Sequence, residues 1–191
     1  MDTVRACRAE KPRWSTRLAF AFCGVLGLMS ASCGSGKSGT ASLTGTASGV
    51  DASMLTASVQ PAPSDEYSGV VVTDLVLSCP EANADHVPRK NLRGLTLQMS
   101  ERIGGRNSAS VAIGKYEVSG TATLVAQAII FQAGEDCAVS RRAQATGGTV
   151  DVSSWAPFSA TLELDFGAQH VSGIITSGLQ CGREPPQAGC E

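Results

Sequence analysis

Residues 160–166 read Ala160-Thr161-Leu162-Glu163-Leu164-Asp165-Phe166, apolar and polar by turns over seven positions. Side chains of a strand point alternately to its two faces, so this pattern builds a strand with one dry side and one wet side. Leu95, Leu97 and Met99 repeat the pattern against Thr96, Gln98 and Ser100. Further strands are expected at 70–78, 115–119, 122–131, 143–152 and 171–179, separated by turn residues such as Gly104-Gly105 and Gly167-Ala168-Gln169. The run 122–131 (ATLVAQAIIF) also suits a short helix; Ile129, Ile130 and Phe131 at its end favour a strand. Gly147-Gly148 falls inside a strand-like run and marks a bulge, or a corner between sheets. The fold class is therefore all-β, a small antiparallel β-sandwich or flattened barrel of about seven strands.

Outside this domain the chain changes character. Arg5, Arg8, Lys11, Arg13 and Arg17 precede an apolar run from Leu18 to Met29, the anatomy of a signal peptide over 1–32. The run is shorter than the ~20 apolar residues of a spanning helix. Of residues 34–50, all but Lys37, Leu43 and Val50 are Gly, Ser, Thr or Ala, a composition that predicts a flexible linker over 33–66. The β domain then occupies 67–191, with a short C-terminal tail.

The leader carries five of the fifteen Lys and Arg and two of the seventeen Asp and Glu, which leaves residues 33–191 about five charges negative. An acidic surface argues against nucleic acid as a partner. Of the seven cysteines, Cys7 and Cys23 lie in the leader and Cys33 just beyond it; Cys79, Cys137, Cys181 and Cys190 remain for two disulfides. No two of these four have the C-x-x-C spacing of zinc ligands. Strict up-and-down strands would put Cys79 and Cys181 at one end and leave Cys190 to reach Cys137. Cys181 with Cys190 and Cys79 with Cys137 is the alternative.

Motifs for chemistry are few. Gly36-Lys37-Ser38 lacks the first glycine of a P-loop, since Ala31 stands there. Glu81, Asn83 and Asp85 open like an EF-hand, but His86 replaces its turn glycine and Leu92 its bidentate Glu; a looser Ca²⁺ loop would need Glu135 or Asp136. His86 and His170 have no nucleophile or carboxylate at a motif spacing. No cofactor or metal is implied. Trp155 and Phe158 (SSWAPF) are the most suggestive pair, either closing the core or forming a platform that stacks a sugar ring.

Ser30-Ala31-Ser32-Cys33 resembles the lipobox of bacterial lipoproteins, departing from it at Ser30, where Leu is commonest. The resemblance implies that Cys33 is diacylated, becomes the mature N-terminus and ties the domain to a bilayer; Gly34 after it implies the outer membrane. An ordinary cleavage site releasing a soluble protein is the alternative. Gly148-Thr149-Val150, Leu162 to Phe166, Ser172-Gly173 and Cys181 are similar to the C-terminal half of uncharacterised lipoproteins of myxobacteria, which implies a β-sandwich without an assigned activity. The expected function is a lipid-tethered envelope module that binds an envelope protein or glycan or acts structurally. A secreted or tethered enzyme and a carbohydrate-binding module are the alternatives.

Overall fold

The computed structural model describes residues 39–183, 185, 186 and 188–190. Cys33 and the expected leader lie outside the described residues. The strands run in chain order β1 (Gly39–Ala47), β2 (Val50–Asp51), β3 (Ala57–Val59), β4 (Ser68–Thr73), β5 (Arg93–Ile103) and β6 (Arg106–Ala109). They continue with β7 (Gly114–Val118), β8 (Leu124–Ala133), β9 (Val139–Gln144), β10 (Gly147–Trp155), β11 (Phe158–Phe166) and β12 (Gln169–Ser177). The helical pieces among the described residues are a 3₁₀ turn at Ala52–Met54 and one helical turn, α1 (Cys79–Ala82).

The all-β class holds and strand forms at each of the seven expected places, although 74–78 lie beyond the end of β4 and the expected 143–152 is split at Ala145-Thr146 between β9 and β10; the sandwich and the strand count do not hold. Nine strands close into a barrel in the order β1, β3, β4, β5, β8, β7, β10, β11, β12 and back to β1, with β2, β6 and β9 attached outside the ring. Alternating directions can close a ring only when the strand number is even. Nine strands force one parallel neighbour, and β7 beside β8 is that pair. Closure removes the exposed edges that a sandwich of seven strands would keep.

The linker expected over 33–66 is the larger correction. From Gly39 the chain is strand, and β1 sits in the ring between β3 and β12, with Leu43 opposite Gly173 and Thr40 opposite Thr176. Its composition misleads because the barrel needs it: Leu43 and Ala47 are buried inward, while Thr40, Ser42, Thr44 and Thr46 face water. Gly45 has φ +99°, and a Cβ there would stand 2.0 Å from the His170 carbonyl oxygen, so the glycine permits close strand approach instead of giving slack. Gly148 does the same in β10, where a Cβ would meet the Glu163 carbonyl oxygen at 2.0 Å. No corner forms at Gly147-Gly148. The β10–β11 ladder runs through them unbroken, and its register shifts instead between Val152 and Ser154.

The inward phase of each strand fills the barrel. Leu95, Leu97 and Met99 of β5, Ile130 of β8 and Leu162 and Leu164 of β11 are fully buried, and the Tyr116 hydroxyl donates to the Ala112 carbonyl at 2.8 Å. Val50, Ala52 and Leu55 join this core from the rim where β1 ends. Polar outside and apolar inside is the reverse of a membrane-spanning barrel. No helix among the described residues is long and apolar enough to cross a membrane.

A second, smaller core lies outside the wall. The connection from Asp74 to Leu92, with α1, packs with Leu179 and Cys181 over Val71 of β4 and Phe131 of β8. Two disulfides fasten this layer: Cys79 to Cys181 (Cα–Cα 5.3 Å) and Cys137 to Cys190 (5.9 Å), the expected pairing, although the parallel β7–β8 neighbours break the strict alternation behind that expectation.

Candidate functional site

The outer layer leaves a groove of about 680 Å³ on the wall of β4 and β5. Gly69, Val71, Thr96 and Gln98 form its floor, because they occupy the outward phase of strands whose other phase is core. One bank is the β3–β4 connection with Pro61, Pro63 and Tyr67; the other is the end of α1 and the C-terminal segment with Pro185 and Pro186. Proline fixes backbone φ, so both banks are stiff. Asn83 clasps them: its side-chain oxygen accepts from the Ala62 amide at 2.9 Å, and its amide group donates to the Gly182 carbonyl at 3.0 Å. Among the described residues, the charged lining residues are Asp85 and Arg183, the latter 3.9 Å from Asp65.

A neighbouring depression of about 270 Å³ extends the trough past Leu77, Leu92, Phe131 and His86. Glu81 lies beneath it, buried, and its carboxylate accepts from the Ser78 amide at 2.7 Å, the Ser78 hydroxyl at 2.6 Å and the Arg89 guanidinium. Burial pushes this carboxyl up, but the Arg89 and Ser78 hydrogen bonds outweigh it and hold its pKa below the usual glutamate value. Glu81 is therefore spent on capping α1 and on Arg89, and Asn83 on the clasp, so the oxygen pattern Glu81-Asn83-Asp85 is not brought together as a calcium loop. Among the described residues, no group of three or more His, Cys, Asp or Glu is placed to hold a metal ion.

The two histidines separate. His86 Nε2 lies 2.9 Å from the Gly189 carbonyl and ties down the C-terminal tail. His170 stands on the exposed barrel wall between two carboxylates, with Nδ1 2.8 Å from Asp165 and Nε2 2.8 Å from Glu163. The Asp165 hydrogen bond, then the Glu163 one, raise the imidazole pKa above its ordinary value. A strand phase supplies the signal that motif spacing missed: Glu163 and Asp165 share the outer face of β11, and Asp165 pairs directly with His170 across the turn. The cluster sits on a convex wall and lines neither depression.

Trp155 and Phe158 do not form a two-ring platform. Phe158 is fully buried, because it stands in phase with Ala160, Leu162 and Leu164 on β11. Trp155 is half-buried against it, edge to face with ring centroids 5.2 Å apart, and its indole N–H donates to the Ala112 carbonyl at 2.8 Å. Both residues close the rim of the core. Comparison with protein-family models, curated proteins and solved structures gave no match.

Proposed function

We propose that this chain is an exported β-barrel, tethered to the cell envelope through a lipid on Cys33, that works by binding an envelope protein or glycan in the groove over β4 and β5. The single observation that carries the binding role is the groove itself. Its volume lies within the 300–1,000 Å³ usual for ligand sites, and a disulfide and the Asn83 clasp hold its banks. Its floor sets Thr96 and Gln98 beside Gly69 and Val71, and its banks are mainly proline, alanine and Tyr67 with the fixed polar groups of Asn83, a mixed lining that suits recognition. Among the described residues, neither histidine nor cysteine lines it, which favours binding over catalysis. Export is supported by the signal-like leader and by two disulfides, which persist in oxidising compartments.

The test is an NMR titration of the mature chain with envelope glycan fragments and short envelope peptides. Shifts confined to Gly69, Val71, Asn83, Thr96 and Gln98, and abolished by filling the floor with Thr96→Trp, are the expected result. Binding that survives Thr96→Trp, or that maps to the His170 wall, would overturn the assignment of the site.

A further inference from the structure

Strand directions define two rims. At the first lie the starts of β1, β4, β7, β8 and β11 and the ends of β3, β5, β10 and β12, as the registers Thr40 with Thr176, Phe158 with Ser177, Val152 with Gly114 and Ser68 with Met99 require. The hairpin of β5 and β6 projects from this rim, and the segment 110–113 crosses it beside Trp155, whose indole N–H is bonded to Ala112. Ile103 at the hairpin tip is 60 % exposed, and Val111 and Ile113 are each 67 % exposed. These are the three most exposed large apolar side chains of the barrel, and all three are at this rim. Val76 and Met54 on other parts of the surface, and Ile174 on the wall, are each less exposed.

The chain enters the barrel at the same rim. Only five residues separate Cys33 from Gly39. Six extended steps cover at most about 20 Å, at ~3.3–3.6 Å per residue. A barrel acylated at Cys33 must therefore keep this rim within that distance of the lipid. Arg102 and Arg106 flank Ile103 on the hairpin, and Lys115 follows at the start of β7. Acidic residues stand there too: Glu101 beside Arg102, Asp151 opposite Lys115 and, on the β3–β4 connection, Asp65 and Glu66. An apolar tip between arginines suits the boundary between phospholipid headgroups and acyl chains, where long cationic side chains reach the phosphates.

We propose that this rim seats on the bilayer: Ile103, Val111 and Ile113 enter the headgroup–acyl boundary of the membrane that holds the Cys33 lipid, with Arg102 and Arg106 on the adjacent phosphates. The proposal rests on the reading of Cys33 as the lipid site. It fixes the orientation of the barrel, with the groove's β3–β4 bank near the membrane and the other rim facing away.

Trp155 is the one tryptophan beyond the leader, the other being Trp14, so it reports on the rim without labelling. The acylated mature chain is reconstituted in phosphatidylethanolamine–phosphatidylglycerol vesicles whose acyl chains carry bromine, after mass spectrometry has established acylation. Trp155 fluorescence should be quenched, and amides 103–113 should be protected from hydrogen exchange while 74–78 and 167–168 are not. The variant Ile103→Ser/Val111→Ser/Ile113→Ser alters only exposed side chains. It should stay vesicle-bound through its lipid but lose about half or more of the quenching and the protection. An acylated, vesicle-bound chain with neither quenching nor protection overturns the seating and leaves the lipid intact. An unacylated chain overturns the lipid reading and the seating with it. Dimerisation of the lipid-free chain that the triple variant abolishes would make a second copy the occupant, and would also overturn the proposal.

Discussion

The two disulfides close loops of 102 and 53 residues, yet their removal should cost very different amounts. Chain entropy alone assigns about 4.7 kcal/mol to the longer loop and about 4.2 kcal/mol to the shorter, nearly equal values. That calculation applies only if the native state holds both cysteines in place without the bond. Cys181 meets the condition: it is 4 % exposed, lies in the outer core, and its amide donates to the Gln60 carbonyl at 2.8 Å. Cys190 does not, because it lies in an exposed tail that the His86 to Gly189 bond ties down. Without its disulfide, that tail regains freedom in the folded state as well as in the unfolded one, and most of the entropic difference cancels. Cys79→Ala/Cys181→Ala should therefore lose about 4 to 5 kcal/mol, and Cys137→Ala/Cys190→Ala about 1 kcal/mol or less, the scale of the net hydrogen bond lost with the tail. Guanidinium unfolding of both double variants beside the intact chain measures this directly. Equal losses, or a larger loss from the Cys137–Cys190 pair, would refute the argument that tail exposure decides the cost.

Phe158→Ala should destabilise by about 3–5 kcal/mol, the range for a fully buried aromatic, and half-buried Trp155→Ala should cost less; thermal unfolding ranks the two. His170→Gln should remove a stabilisation worth a few tenths to about 1 kcal/mol, because the cluster is half-exposed and screened by water. The folded imidazole pKa is raised, so that contribution is full below the unfolded value of about 6.5 and fades as pH rises through the folded pKa. Denaturation of both proteins at pH 6 and pH 9 should show the gap closing at the higher pH. Cys33→Ser should abolish palmitate labelling of the exported chain; persistent labelling would place the lipid elsewhere.

The two strands with a clear two-residue period, 95–99 and 160–166, are legible from sequence, and strand forms at the five places expected around them, with 70–78 ending early at Thr73. Legible too is the outcome at 122–131, where the cluster Ile129-Ile130-Phe131 signalled strand over helix and β8 forms. What escaped was the part whose apolar content is low. β1 carries one large apolar residue, Leu43, in nine, and β9 is Val-Ser-Arg-Arg-Ala-Gln; each is strand because its neighbours complete a ladder, a cause absent from its own composition. The disulfide pairing is the expected one, but the reason differs: the parallel β7–β8 neighbours break strict alternation, β4 and β12 end at opposite rims, and Cys79 meets Cys181 because the 74–92 connection and the C-terminal segment pack together on the outer wall. The groove was not legible. Its floor residues read as the ordinary wet phase of β4 and β5, and only the tertiary path of 74–92 and the C-terminal tail builds its banks.

β1 is the first strand of the domain to be synthesised and β12 the last, and they lie side by side. The ring therefore cannot shut until about 130 residues after β1 has emerged have been made and delivered, however the intermediate hairpins fare. In that interval β1 and β11 both present unpaired backbone, a template for pairing with another chain. Contacts this distant in sequence also form slowly, since loop-closure entropy must be met before they stabilise anything. The chain itself sets the local concentration at which β12 meets β1, so whatever keeps neighbouring copies apart during that interval protects the barrel against aggregation, independent of where the finished barrel works.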